Sequence, residues 1–344
     1  MKRQLPSFLK HQFGAALLSA MLTVTLVATF ASAALWQQFR SFQVESAERS
    51  RLQSSLILTG ALDWARLILR EDARSPGGTD HLGEPWAVPL EEARLSSFLA
   101  VDGVTDDSSQ DAFLSGLITD QQSRMNVANL VDGQILSPAD LASFQRLFVQ
   151  LDLPPQTLVT LAENYLEASK KANGTAANTQ SNQTDFLMPQ RLDQLVWLGL
   201  DTATLQTLTP YITVLPARTP VNLNTASALV LTAIAPGLDM AGAEKLISAR
   251  SRKHFSTLAD AAQALGNPAV IFAGGPHGVA SQFFEVQGQL RLEDLSVFER
   301  SLVQRNGTSV RTLWRARGVT TDSNATAAAA SGKAPGVSGS VPRP

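Results

Sequence analysis

The chain has 344 residues, room for two or three domains with a sizeable core, and its formal charge of −2 lacks the basic excess that nucleic-acid-binding domains carry. It has no cysteine, which excludes disulfide frameworks, thiolate nucleophiles and cysteine-based metal sites. The histidines, His11, His81, His254 and His277, are scattered along the chain, which argues against a histidine-built metal centre.

The first element is apolar. No charged residue occurs from Gly14 to Trp36. As a helix this run covers roughly 34 Å, enough for a hydrocarbon core of about 30 Å. Lys2, Arg3 and Lys10 precede it and the next cation is Arg40, so the positive-inside rule leaves the N-terminus cytoplasmic and sends the rest across. Two fates compete. Ala31-Ser32-Ala33 has the small residues of a signal-peptide site, and a cut after Ala33 would release a soluble protein. A cut at Gly14 would leave the whole run attached. The continuation favours retention: no proline occurs from Ala15 to Ser75, Gly60 is the one glycine in that span, and Pro76-Gly77-Gly78 follows. This predicts one helix of about 60 residues, on the order of 90 Å. Beyond the membrane it becomes amphipathic, with Phe42, Leu52, Leu56, Ala61, Leu62, Ala65 and Leu69 set among Arg49, Arg51, Asp63, Arg66 and Arg70.

In the loop HLGEPWAVPL, His81 to Leu90, Pro85 and Pro89 forbid regular helix, and the reading is an ordered turn anchored by Trp86. Leu117 to Val131 shows strand character, with Met125 and Val127 alternating with polar neighbours and Asn126 and Asn129 as punctuation. From Ser137 to about Leu265 the periodicity is helical. An internal repeat lies there: Leu151 to Leu161 recurs as Leu198 to Leu208, with leucine kept at the first, third, eighth and eleventh positions, which predicts two helical-hairpin units. Lys170 to Asp185 between them is polar and reads as a flexible loop.

A third unit spans Val221 to Arg250: a helix start at Asn224-Thr225-Ala226, a hairpin at Ala235-Pro236-Gly237-Leu238, and a second helix from Met240 to Arg250. It resembles a helix-hairpin-helix, a module known for gripping DNA backbone, so a DNA-uptake module is the alternative reading. Asp239, where DNA-binding versions carry a second glycine, would repel phosphate. Arg250, Arg252, Lys253 and His254 form a basic cluster, for which a solvated helix end is the commoner cause. Turns at Asn267-Pro268 and 274–278 lead to two strand candidates, Phe283 to Leu292 and Val310 to Arg317, with Asn306-Gly307 as a tight turn between them. From Val319 the chain is rich in Ala, Ser, Gly and Pro and reads as disordered.

No catalytic spacing is present. Glu91-Glu92 and Asp106-Asp107 lie on hydrophilic segments, and Asp102 to Asp111 offers calcium-type oxygens without an EF-hand's glycine and terminal glutamate.

The basic leader ending in Phe13-Gly14, the Ala15-Ala16-Leu17-Leu18 that follows and the uninterrupted helix resemble the class III leaders of type IV pilins and pseudopilins. The resemblance implies a prepilin-peptidase cut after Gly14 and N-methylation of Ala15. Most members carry glutamate as the fifth mature residue, thought to pair with a neighbour's α-amine, and here that position is Ser19. Its absence is typical of the protein K family of type II secretion (the general secretion pathway), which LGEPW and the stretch from Asp120 to Leu130, with Ser123-Arg124, Asn126 and Asn129, also resemble.

The implied fold is α+β. A leader (1–14), a transmembrane segment (15–36) and a periplasmic helix (37–75) precede a pilin-like β core (76–136 and 283–318). An α-helical domain of helix-hairpin-helix, SAM-like units (137–282) is inserted in that core, and a disordered tail (319–344) ends the chain. The implied protein is a non-enzymatic minor pseudopilin at the pseudopilus tip, nucleating or capping the fibre. It would sit in the inner membrane with its bulk in the periplasm, and its partners would be other minor pseudopilins, prepilin peptidase and the inner-membrane platform, with no nucleic acid. Family members can carry calcium near an Asp-rich stretch of the inserted domain; the corresponding region here is Lys170 to Asp185, so no ligand is assigned.

Overall fold

The computed structural model describes residues 12–75, 77–95, 112–174, 186–292 and 295–320. The leader up to His11, the acidic stretch 102–111, the polar loop from 175 to 185 and the tail beyond Thr320 lie outside the described residues.

Helix α1 runs Gln12–Asp72, 61 residues without a break, as the absence of proline predicts. Contacts divide the chain at Ile57/Leu58, within this helix. The first part is a single helix whose residues from Ala15 to Arg49 are all exposed. Its hydroxyls stay within it: Ser19, Thr23, Thr25 and Thr29 each donate to the carbonyl three residues back.

The second part contains everything from Leu58 onward. Its sheet has five antiparallel strands in the order β1-β2-β9-β10-β11. They are β1 (Leu90–Arg94), β2 (Ala112–Asp120) and, after a long excursion, β9 (Phe283–Leu292), β10 (Leu295–Asn306) and β11 (Ser309–Thr320). β2 and β9 are neighbours, with Asp120 opposite Phe284. The chain therefore leaves the sheet and returns to it at adjacent points, and the excursion is an insertion.

One face of the sheet packs on α1. Leu58, Leu62, Ala65 and Leu69 are buried at helical spacing, and Leu62, Ala65 and Leu69 form a core with Trp86, Ile118, Phe284, Val286, Val303 and Val310. The opposite face meets the insertion through Leu215, Phe283 and Leu302. The adjacent Phe283 and Phe284 point to opposite faces, as the strand period of two requires.

The insertion has its own core, from Met125 to Val270. It contains β3 (Met125–Asn126), β4 (Val131–Asp132) and β5 (Ile135–Leu136), then α2 (Pro138–Gln150) and α3 (Pro155–Ala172). A 3-10 helix at Leu192–Leu198, α4 (Thr202–Leu208), β6 (Ile212–Thr213) and β7 (Val221–Asn222) follow. The last elements are α5 (Ala228–Ile234), α6 (Met240–Arg252), α7 (Leu258–Leu265) and β8 (His277–Gly278). The repeat is real in place and unequal in form: α2, a turn and α3 make the first copy, and the 3-10 helix, Gly199 and α4 the second. Gly199 has φ 95°, a left-handed stop that suits glycine.

Several expectations are corrected. The span 117–131 is not one strand: Asp120 accepts from Gln122 N–H and Asn126 from Ala128 N–H, capping 3-10 turns at Gln121–Ser123 and Val127–Leu130. Helical structure from 137 to 265 is interrupted by β6, β7 and extended segments. The start of α5 is capped by Ser227, not within Asn224-Thr225-Ala226, because those side chains bond elsewhere. Lys170 to Ala172, read as loop, close α3. Strand β10 was missed, so Asn306-Gly307 joins β10 to β11. β11 extends to Thr320, past the Arg317 where its alternation was read as ending and into the stretch read as tail.

Candidate functional site

Gly14, Ala15 and Ser19 all lie in α1. Ala15 and Ser19 are exposed, and the Ser19 hydroxyl donates to Ala16 O at 2.9 Å. A side chain that satisfies itself along its own helix offers a neighbour no charge. The helix is long and apolar enough to cross a membrane.

The second candidate is the seam where the insertion meets the sheet and the end of α1. At its centre is Asp120, at the last position of β2 and 2% exposed. Its carboxylate receives Thr225 Oγ1–H at 2.6 Å, Ser281 Oγ–H at 2.7 Å, Gln122 N–H at 2.7 Å and Asn222 Nδ2–H at 3.1 Å. Burial pushes this acid up to about 6 against the pull of those donors. Asn222 also reaches Asp80 O, and Ser281 N–H donates to Asp80 Oδ2. Arg305, on β10, donates to Asp72 Oδ2 at 2.6 Å and to Asp80 Oδ1, and lies over the Phe284 ring at 4.9 Å. A continuous polar chain thus runs from the end of α1 through the sheet into the insertion.

Asn126 and Asn129 sharpen this picture. Asn126 bonds Ala217 O and Leu215 N–H, and Asn129 bonds Thr219 O and Thr219 N–H. Each buried amide clamps the linker 215–219 at two points, which satisfies both ends of the amide. The sequence reading marked them as punctuation and missed this work; two asparagines beside an apolar run were the available signal.

The basic cluster is partly spent inside the fold, with Arg252 and Lys253 exposed. Arg250 donates to Leu223 O at 2.6 Å, Arg252 to Ser248 O, and the His254 ring stacks on His81 at 4.0 Å. Asp239 caps α6 by accepting from Gly242 N–H at 2.8 Å, so a carboxylate stands where a DNA-binding hairpin would present amide to phosphate. Among the described residues, Asp72, Asp80 and Glu84 are close enough to share an ion. Arg305 already occupies one oxygen of each aspartate and offsets one of their two charges, and Glu84 accepts from Trp86 Nε1–H and His81 N–H. This donor set does not fit calcium, which needs open oxygens.

A membrane-length helix whose far end lies on an antiparallel sheet defines a pilin-like stem protein, here carrying a helical insertion between neighbouring strands. Two sequence profiles, both described as type II secretion system protein K, match residues 123–217 and 221–279. Type II secretion system protein K of Pseudomonas aeruginosa is 26% identical over 86% of this chain and 90% of its own length. The proteins of that name from Pectobacterium carotovorum and Klebsiella pneumoniae are 25% and 26% identical, each over 90% of this chain and 97% of their own. A chain of the GspK–GspI–GspJ crystal structure from enterotoxigenic Escherichia coli superposes with TM-score 0.55 at 16% identity, covering 79% of this chain and 98% of its own. The chain is thus similar along most of its length to type II secretion system protein K, and these likenesses support a minor pseudopilin.

Proposed function

We propose that the chain is the tip subunit of the secretion pseudopilus. Prepilin peptidase cuts after Gly14, Ala15 becomes the methylated N-terminus, and residues 15–36 hold the protein in the inner membrane with its bulk in the periplasm. The observation that carries the tip position is Ser19: a serine at the fifth position of the cut chain gives the subunit no acid with which to receive a neighbour's α-amine, and its hydroxyl bonds its own helix. The inserted domain supports the same reading, since a subunit widened between two strands suits an end better than a stack. Its partners are other minor pseudopilins, as GspI and GspJ accompany GspK in the solved complex, together with the inner-membrane platform. Catalysis has no role in this reading.

Mass spectrometry of the mature N-terminus tests it. Methylated Ala15 is expected, and a chain beginning at Ala34 would refute it. For the tip position, Ser19→Glu should allow the subunit to enter the fibre below the end, which crosslinking to the major pseudopilin would detect.

A further inference from the structure

The seam contains a pair of rings that the assembly reading leaves unexplained. His81 belongs to the loop after α1, and His254 follows the end of α6 in the insertion. Their rings stack at 4.0 Å with planes 10° apart. Both are held from behind. Asp80, beside His81, donates its N–H to Val279 O, while Phe255, beside His254, is clamped through both backbone groups by the Asn224 amide. His81 Nδ1 accepts Gly83 N–H at 3.1 Å, so in the neutral ring the proton sits on Nε2, which faces Glu84 Oε1 at 3.7 Å. The stack therefore joins two elements of different origin through two imidazole rings.

We propose that the His81–His254 stack is a proton-sensitive clasp, closed when at most one ring is charged and released when both are. One proton leaves a cation over a neutral π face, which is tolerable. A second sets two like charges 4.0 Å apart in a partly buried place. The surrounding charges point the same way. From the His254 side the facing group is Lys253, with Arg252 nearby on the same helix end, and both are cations. From the loop and the end of α1 come Glu84, Asp80 and Asp72; Arg305 on β10 pairs with both aspartates and offsets one of their two charges, and Asp72 still acts on His81. Glu84 is the counter-charge within ion-pair range of the stack, its Oε1 3.7 Å from His81 Nε2. Burial holds its carboxyl above the usual carboxylate range, so it loses its charge earlier on acidification than an exposed acid would. Burial and the neighbouring His81 hold His254 below the usual histidine value, which keeps the clasp shut at neutral pH.

Release is local. The Asp120 cage and the asparagine clamps do not depend on the rings, so the end of α6 and the loop 81–84 loosen while the insertion stays attached. The test is amide hydrogen exchange on the full chain in detergent, corrected for the intrinsic effect of pH, at pH about 7.5 and about 5, below the ordinary histidine value. Exchange in 250–255 and 81–84 should rise about tenfold relative to 158–165 in α3, the equivalent of one pKa unit. His254→Phe keeps an aromatic stack and removes the titration, and it should abolish the rise. Imidazole NMR should show the two rings titrating as a coupled pair in the wild type, and His81 titrating singly in the variant. Unchanged protection in the wild type at low pH, or the same rise in His254→Phe, would overturn the proposal. Asp120 and His277, which the variant leaves in place, would then account for any residual response.

Discussion

Helix α1 is two structures in one. Its first stretch, Ala15 to Trp36, is exposed on every side, and its apolar residues are spread all round. Its last stretch, from Leu58, buries Leu58, Leu62, Ala65 and Leu69 on one face and turns Asp63 and Arg70 outward, while the half-buried Arg66 donates to Val310 O on β11. The difference is the solvent each stretch must satisfy. A helix for lipid needs no polar side, whereas a helix on a sheet needs one apolar stripe.

Exchanging the demands on the two stretches tests the contrast. Leu69 is fully buried against the sheet, so Leu69→Ala should destabilise the body by about 3 kcal/mol through lost burial and the cavity left behind. Urea unfolding of the detergent-solubilised chain would measure it, and membrane retention should not change. Leu26→Arg should do the reverse. A central arginine costs about 3 kcal/mol in insertion, so carbonate extraction should release the protein while the folded body melts as before. If both variants fail in both assays, the two stretches are not independent.

A smaller effect tests the seam that ties the second stretch to the insertion. Asp120 has its folded pKa raised from 3.8 to about 6. The folded state therefore holds the proton more tightly than the unfolded chain between those values. The contribution to stability is complete below the unfolded pKa and is lost as pH rises through about 6. Asp120→Asn cannot titrate and should remove that slope, on the order of 2 kcal/mol across the window. Urea midpoints measured from pH 4.5 to 7.5 on both proteins would show it, and parallel slopes would contradict the assignment.

Much of this was legible because it depended on local pattern. The proline-free run gave α1, the period of two gave β9, and the leucine repeat gave the two hairpins. β10 was missed because LSVFERSLVQRN buries both faces in part: Glu299 and Ser301 are buried beside Val303, so apolar and polar residues do not alternate cleanly. Glu299 is tolerated there because Arg317, on the next strand, pairs with it. The seam was illegible for a different reason. Asp80, Asp120, Asn222, Ser281 and Arg305 are far apart in sequence, and each has an ordinary exposed reading alone. Their meeting follows from β2 lying beside β9, which no local window contains.

The smallest expected effect is the most discriminating for assembly. Leu56 is 72% exposed, two residues before the helix turns apolar residues inward at Leu58. Leu56→Ser removes no contact within the chain, so its effect on the urea midpoint should stay within about 0.5 kcal/mol. Leu52, four residues back on the same helix face, is exposed as well, and neighbouring exposed apolar side chains of this kind suit a surface that another subunit covers. The same variant should therefore weaken association with the other minor pseudopilins, read by co-purification from membranes. Unchanged stability with weakened association would assign the outward face of this stretch to assembly. Unchanged association would confine assembly to the membrane stretch or to the inserted domain.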